Sequence, residues 1–209
     1  MILLTIFASS FVIALSGAMM PGPLLTVTIT ESSRRGGMTG PLMIIGHGLL
    51  ELTLVVALFS GLSALLHSDQ VFITVSLLGG SVLLWMATSM LRSLQTVELP
   101  QAESGYTGRN LILTGILLSV CNPYWLLWWV SIGTGYILHS ARIGLAGIVA
   151  FLCGHLLADL AWYSLVSFGV ARGRGLFSPR LYRALIGLCG AVLLGFSGYF
   201  FYSGLDRMI

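Results

Sequence analysis

Lysine is absent from this chain, and charge of either sign is scarce: ten arginines and seven acids make up 8% of 209 residues. A soluble globular domain carries about a quarter charged residues, so that class is excluded. The arginines are also too few and too dispersed to form a nucleic-acid surface. Cys121, Cys153 and Cys189 are odd in number, far apart and set in apolar sequence with no CxxC pair. That rules against thiol redox chemistry and zinc staples, and all three read as small buried packing residues. With no nucleophile constellation and no haem-like pairing of histidines across helices, an enzyme or electron carrier is disfavoured, and no cofactor is expected. No basic residue precedes Arg34, so the start lacks the charged region of a cleaved signal peptide and reads as a first helix.

What remains is apolar sequence: 56% hydrophobic, with a mean hydropathy of +0.96. Uncharged runs of about 18 residues or more are membrane-span candidates. They predict an all-α membrane protein of six transmembrane helices. The first covers Met1 to Thr30 and breaks at Pro21-Gly22-Pro23, because proline removes backbone donors and disfavours helix just before it. Glu31 to Gly37 reads as a polar turn. The second helix runs from Met38 to Leu66, the third from Val71 to Leu91, and the fourth from Asn110 to Leu138 with a break at Asn122-Pro123. The fifth ends near Ala171, and the sixth covers Ala184 to Leu205. Residues 96–109 are the one extended polar connection, dividing a first three-helix unit (1–95) from a second (110–209).

The two units share an order of features. Pro21 is echoed by Pro123, His47 and Glu51 by His155 and Asp159, and Gly80 by Gly190, at offsets of 102, 108 and 110. Units of three spans enter the membrane from opposite sides, which gives the inverted 3+3 repeat of many secondary transporters, with sites at the repeat interface. Eight arginines (34, 35, 92, 109, 172, 174, 180 and 183) flank the loops after helices one, three and five, against Arg142 and Arg207 on the other side. Arginine bias marks the cytoplasmic face, so both termini are expected outside a multi-pass protein of the cytoplasmic membrane.

Two constellations carry chemistry. In each His-acid pair the residues stand four apart, on one helix face. Each acid lies 16 or 17 residues from its flanking arginine, Arg35 or Arg142. At 1.5 Å per residue that is ~24–26 Å along the helix, near the middle of a ~30 Å hydrocarbon core. An ionised carboxylate there costs a few kcal/mol unless paired or watered. The plain reading is that each imidazole satisfies its neighbouring acid as interhelical glue. Two related pairs at mid-depth favour a substrate and proton pathway through His47, Glu51, His155 and Asp159. The same four side chains are also a plausible metal-ligand set, which makes divalent-metal efflux the alternative.

The helix breaks at Pro21, Gly22, Pro23, Asn122 and Pro123 form the second constellation. Freed backbone groups are tolerated in a bilayer only where protein buries them or a watery cavity receives them, and a broken helix offers N–H groups to a substrate carboxylate. The plain reading is a structural kink; two breaks at equivalent places favour a site. Tyr124, Trp125, Trp128 and Trp129 follow the second break. They read first as interfacial anchors or packing, with Tyr124 and Trp125 as candidate pathway aromatics for a cation. Gly36-x3-Gly40 and Ala191-x3-Gly195 predict close helix contacts, within or between subunits. Thr26, Thr28, Thr30 and Ser119 are expected to back-bond to their own helices.

Pro21-Gly22-Pro23 at the end of helix one, the entry Gly36, Gly37 and Gly40, Asn122-Pro123 in helix four and the glycine-rich last helix together resemble the LysE-type translocators, the lysine and homoserine/threonine exporter family. The resemblance spans essentially the whole chain. It implies export of amino acids or related small solutes from a prokaryotic cell, driven by the proton motive force. Many members carry a lysine after the Asn-Pro pair; this chain has Tyr124, so no member's substrate carries over. The expected partners are a small solute, protons and the lipid bilayer, and the symmetry permits a homodimer.

Overall fold

The computed structural model describes residues 1–20, 22–62, 69–94, 110–173 and 178–208, and every described element is helical. α1 (Ile2–Ala18) and α2 (Pro23–Arg35) meet at 77° across the first break. α3 (Thr39–Ala57) ends in a π-helical turn, Leu58–Leu62. α4 (Asp69–Ser93) precedes the polar linker, which lies outside the described residues. The next run is α5 (Leu111–Val120), α6 (Pro123–Trp128), a π-helical turn at Trp129–Gly133, and α7 (Thr134–Ala141). α8 (Leu145–Arg172) and α9 (Pro179–Asp206) complete the chain. Four helices are long and apolar enough to cross a membrane, and five if the bent α1–α2 pair counts as one span. The run from α5 to α7 is divided too finely to qualify as one piece.

Local chemistry accounts for the breaks. Gly22, in extended conformation, precedes Pro23 at the first turn of α2, and Asn122 precedes Pro123 in the same role for α6. Proline suits that position because its missing N–H would be unpaired anyway. By role, then, the counterpart of Pro123 is Pro23 and not Pro21, which lies outside the described residues. Asn122 Oδ1 accepts from Tyr124 N at 3.1 Å, and Asn110 caps α5 through Ile112 N and Leu113 N.

Two expectations are corrected. Glu31 to Arg35 is not a turn but the last part of α2, held by the Arg35–Glu31 ion pair at 2.6 Å. The i, i+4 spacing supplies that pair, and the chain reverses only at Gly36, whose φ of 97° a side chain would resist. Cys121 and Cys153 are exposed on the protein surface, and only Cys189 is buried. Of the two small-residue motifs, Gly40 packs on the Tyr163 carbonyl of α8 within this chain. The threonine and serine back-bonds form as expected, at 2.7–3.0 Å.

Two helix crossings position the site, and they use matching residues. α3 crosses α5 where Gly46 lies against the Ile112 carbonyl and Gly115 against that of Met43. α8 crosses α1 where Gly154 lies against the Phe7 carbonyl and Ser10 Oγ donates to that of Phe151 at 2.8 Å. A side chain at any of the three glycines would strike backbone. Small residues at such points let helices approach closely in an apolar setting, where packing drives association. α4 and α9 pack along each other, with Ser197 Oγ donating to the Gly80 carbonyl at 2.8 Å.

Candidate transport site in the bundle core

Those crossings bring the two His-acid pairs face to face. His47 and Glu51 sit one turn apart on α3, His155 and Asp159 one turn apart on α8, and all four are buried. Glu51 is the hub. Its Oε1 lies 3.1 Å from His47 Nε2 and 3.1 Å from His155 Nε2, and its Oε2 lies 3.0 Å from His155 Nε2. Two indoles complete the shell, with Trp125 Nε1 donating to Oε1 at 3.1 Å and Trp129 Nε1 at 2.9 Å.

Asp159 is held differently. Its Oδ2 stands 3.5 Å from His155 Nε2 and 3.7 Å from His47 Nε2 and makes no hydrogen bond, although the residue is only 5% exposed. The imidazoles are fixed from behind. His155 packs among Phe151, Trp128 and Trp129, with ring centroids 4.8–5.8 Å away. His47 Nδ1 lies 2.7 Å from Ser119 Oγ, whose hydroxyl donates to the Gly115 carbonyl at 2.7 Å. When that hydroxyl hydrogen points to the carbonyl, Ser119 presents a lone pair and His47 Nδ1 is the donor. A neutral His47 would then aim a bare Nε2 lone pair at Glu51.

One cavity joins the cluster to both helix breaks. His47, Glu51, His155 and Asp159 line it together with Gly22 and Asn122, and Tyr124, Trp125, Trp128 and Tyr163 contribute to its wall. Leu83 of α4 and Leu193 and Phe196 of α9 form an apolar side. The free volume is ≈ 70 Å³, several times the roughly 10–15 Å³ that one water needs. Of the residues singled out in the sequence, Gly22, His47, Glu51, Asn122, Tyr124, Trp125, His155 and Asp159 line this space. Pro23 is not part of its lining, and Pro21 and the side chain of Pro123 lie outside the described residues. Trp129 was read from the sequence as anchor or packing, yet it is a direct partner of Glu51. Its i, i+4 relation to Trp125 was visible, but the acid both indoles reach is on another helix.

The same geometry bears on a metal. One donor atom from each of the four residues lies within 4.8 Å of the others, compact enough for an ion. Against that, the central oxygen already accepts two indole N–H groups, which a cation in the same place would have to face.

Apolar spans around a buried ionisable cluster open to a cavity define a multi-pass membrane protein of the transporter class. The chain belongs to the LysE type translocator family, whose model matches residues 15–204. It is similar to "Chemotactic transduction protein ChpE" of Pseudomonas aeruginosa, 29% identical, with 94% of this chain and 97% of that protein aligned. It is also similar to "Putative amino acid efflux protein YcgF" of Bacillus subtilis, 23% identical, with 99% of this chain and all of that protein aligned. No solved structure matches the chain.

Proposed function

We propose that this protein is a proton-coupled exporter of amino acids or related small zwitterions in the cytoplasmic membrane of a prokaryote. The observation that carries the reading is the single cavity that His47, Glu51, His155 and Asp159 share with Gly22 and Asn122. A substrate carboxylate docks at the broken helices and its amino group meets the acids. Protons arriving from outside then compete for those acids, His47 and His155 relay them, and the solute leaves outward. No described arginine lines the cavity, which argues against a strongly anionic substrate. The name of the Bacillus subtilis relative supports efflux of amino acids.

The architecture that fits this cycle is six spans in two inverted units, 1–95 and 110–209, joined by a cytoplasmic linker at 96–109, with both termini outside. Reciprocal crossings support it. Gly46 and Met43 correspond to Gly154 and Phe151 at an offset of 108, and their partners Ile112 and Gly115 correspond to Phe7 and Ser10 at 105. Alternating access then amounts to one unit rocking against the other around the cluster.

Reconstituted vesicles with an imposed pH gradient test the reading. The expected result is gradient-driven movement of a labelled neutral amino acid, abolished by a protonophore. Movement that ignores the gradient removes the coupling, and no movement of any amino acid removes the function. The compact donor set favours divalent-metal efflux as a second reading. Zinc or manganese movement in the same vesicles, with amino acids inert, selects it.

A further inference from the structure

Glu51 and Asp159 occupy equivalent places in the two units, but their surroundings do not allow them the same work. We infer that Asp159 is the carboxylate that exchanges its partner, binding the substrate's ammonium group or a proton in turn, while Glu51 is a fixed anion that positions the two imidazoles. This rests on the exporter reading above.

Two of the four nitrogens around Glu51 belong to indoles, whose N–H groups donate only and can neither accept nor release a proton in water. Trp129 is fully buried. Protonating Glu51, or handing it to a cation, would leave both indole N–H groups facing a weakened or occupied acceptor in the bundle core, and an unpaired buried donor is costly. Asp159 strands nothing when it changes partner. Its Oδ2 is buried, faces the cavity and has no hydrogen bond. The titratable groups around it are His155 and Tyr163 on its own helix, His47 and Glu51 on α3, and Tyr124 on α6. Glu51 Oε2 is also buried without a hydrogen bond, 3.0 Å from His155 Nε2, but it shares its carboxylate with an Oε1 that two indoles hold. A substrate ammonium entering from the cavity meets at Asp159 Oδ2 an anionic oxygen that no indole holds. A charge-assisted bond there is short and strong. A proton on the same oxygen cancels it, so low pH releases the solute.

The test is substrate exchange, without a gradient, in vesicles carrying the full chain, read with labelled leucine and threonine at pH 8 and pH 5.5. Wild-type protein is expected to exchange more slowly at pH 5.5. Asp159→Asn should lose tenfold or more at both values and Asp159→Glu should recover the pH dependence. Glu51→Gln should turn over more slowly yet keep the wild-type ratio between the two pH values. Asp159→Asn exchanging within twofold of wild type, or Glu51→Gln losing the pH ratio while Asp159→Asn keeps it, overturns the division. A second measurement needs no variant and no transport: a hydrophobic carbodiimide attacks protonated carboxyls, and peptide mass mapping locates the adduct. Labelling of Asp159 that grows as pH falls, with Glu51 unlabelled, supports the assignment, and the reverse pattern overturns it. Wild-type vesicles that exchange no member of a full amino-acid panel strike the exporter reading, while the labelling pattern still decides which acid is open.

Discussion

α3 crossing α5 and α8 crossing α1 are built alike, with a glycine pressed on a backbone carbonyl one helix away. They differ in the reciprocal contact. Gly115 lies bare against the Met43 carbonyl, whereas Ser10 at the corresponding place donates a hydrogen bond to that of Phe151. The acids below the two crossings diverge further, since only Glu51 has the indoles of Trp125 and Trp129. Trp125 comes from α6 and Trp129 from the π-helical turn that follows it. The two crossings share a packing rule and differ in chemistry, and the shared backbone geometry leaves side-chain chemistry free to specialise.

The comparison breaks hardest at Glu51→Ala. It leaves two indoles and two imidazoles without their shared acceptor, and truncating one partner of a buried paired charge costs about 3–5 kcal/mol. The expected outcome is loss of folded protein, measured by thermal stability of the purified chain, with Glu51→Gln largely spared. Gly46→Ala and Gly154→Ala come next. A methyl at either position meets a backbone carbonyl, and overpacking costs about 1–3 kcal/mol. If the two crossings are equivalent, the two melting temperatures fall by similar amounts, and a lopsided result breaks the equivalence. Trp129→Phe keeps the aromatic bulk and removes one donor from Glu51. A loss of about 1.5–3 kcal/mol is expected for a hydrogen bond to a charged group, read as a shift in the chemical-denaturation midpoint. Ser10→Ala is the mildest. It removes one hydrogen bond and makes the second crossing resemble the first, for about 0.6 kcal/mol in an apolar bundle.

Much of the scaffold was legible in the sequence because a bilayer imposes simple rules. Spans must be long and apolar, and breaks announce themselves by proline, as at Pro23 and Pro123. The i, i+4 spacing placed each histidine over its acid. The meeting of the pairs was only an expectation from internal symmetry, since crossing points depend on glycines such as Gly46 whose partners are named nowhere in the local sequence. Glu31 to Arg35 was misread because polar composition suggests a turn, while a salt bridge one helical turn apart favours continued helix. The cysteines were misread because an apolar neighbourhood means burial in a soluble core, but in a membrane protein it equally describes the lipid-facing surface.

The π-helical turn at Trp129–Gly133 carries a consequence for aim. Trp129 and Tyr136 are seven residues apart and in a regular helix would point the same way. Inserting one residue into a turn swings everything beyond it by about 100°, and Thr134 Oγ1 bridges the widened turn by donating to the Trp129 carbonyl five residues back at 2.7 Å. Trp129 is thereby free to reach Glu51 of α3 while Tyr136 pairs with Ser9 of α1. A single rod thus addresses both walls of the bundle, and removing one residue from that turn would pull one of its two aromatic arms off target.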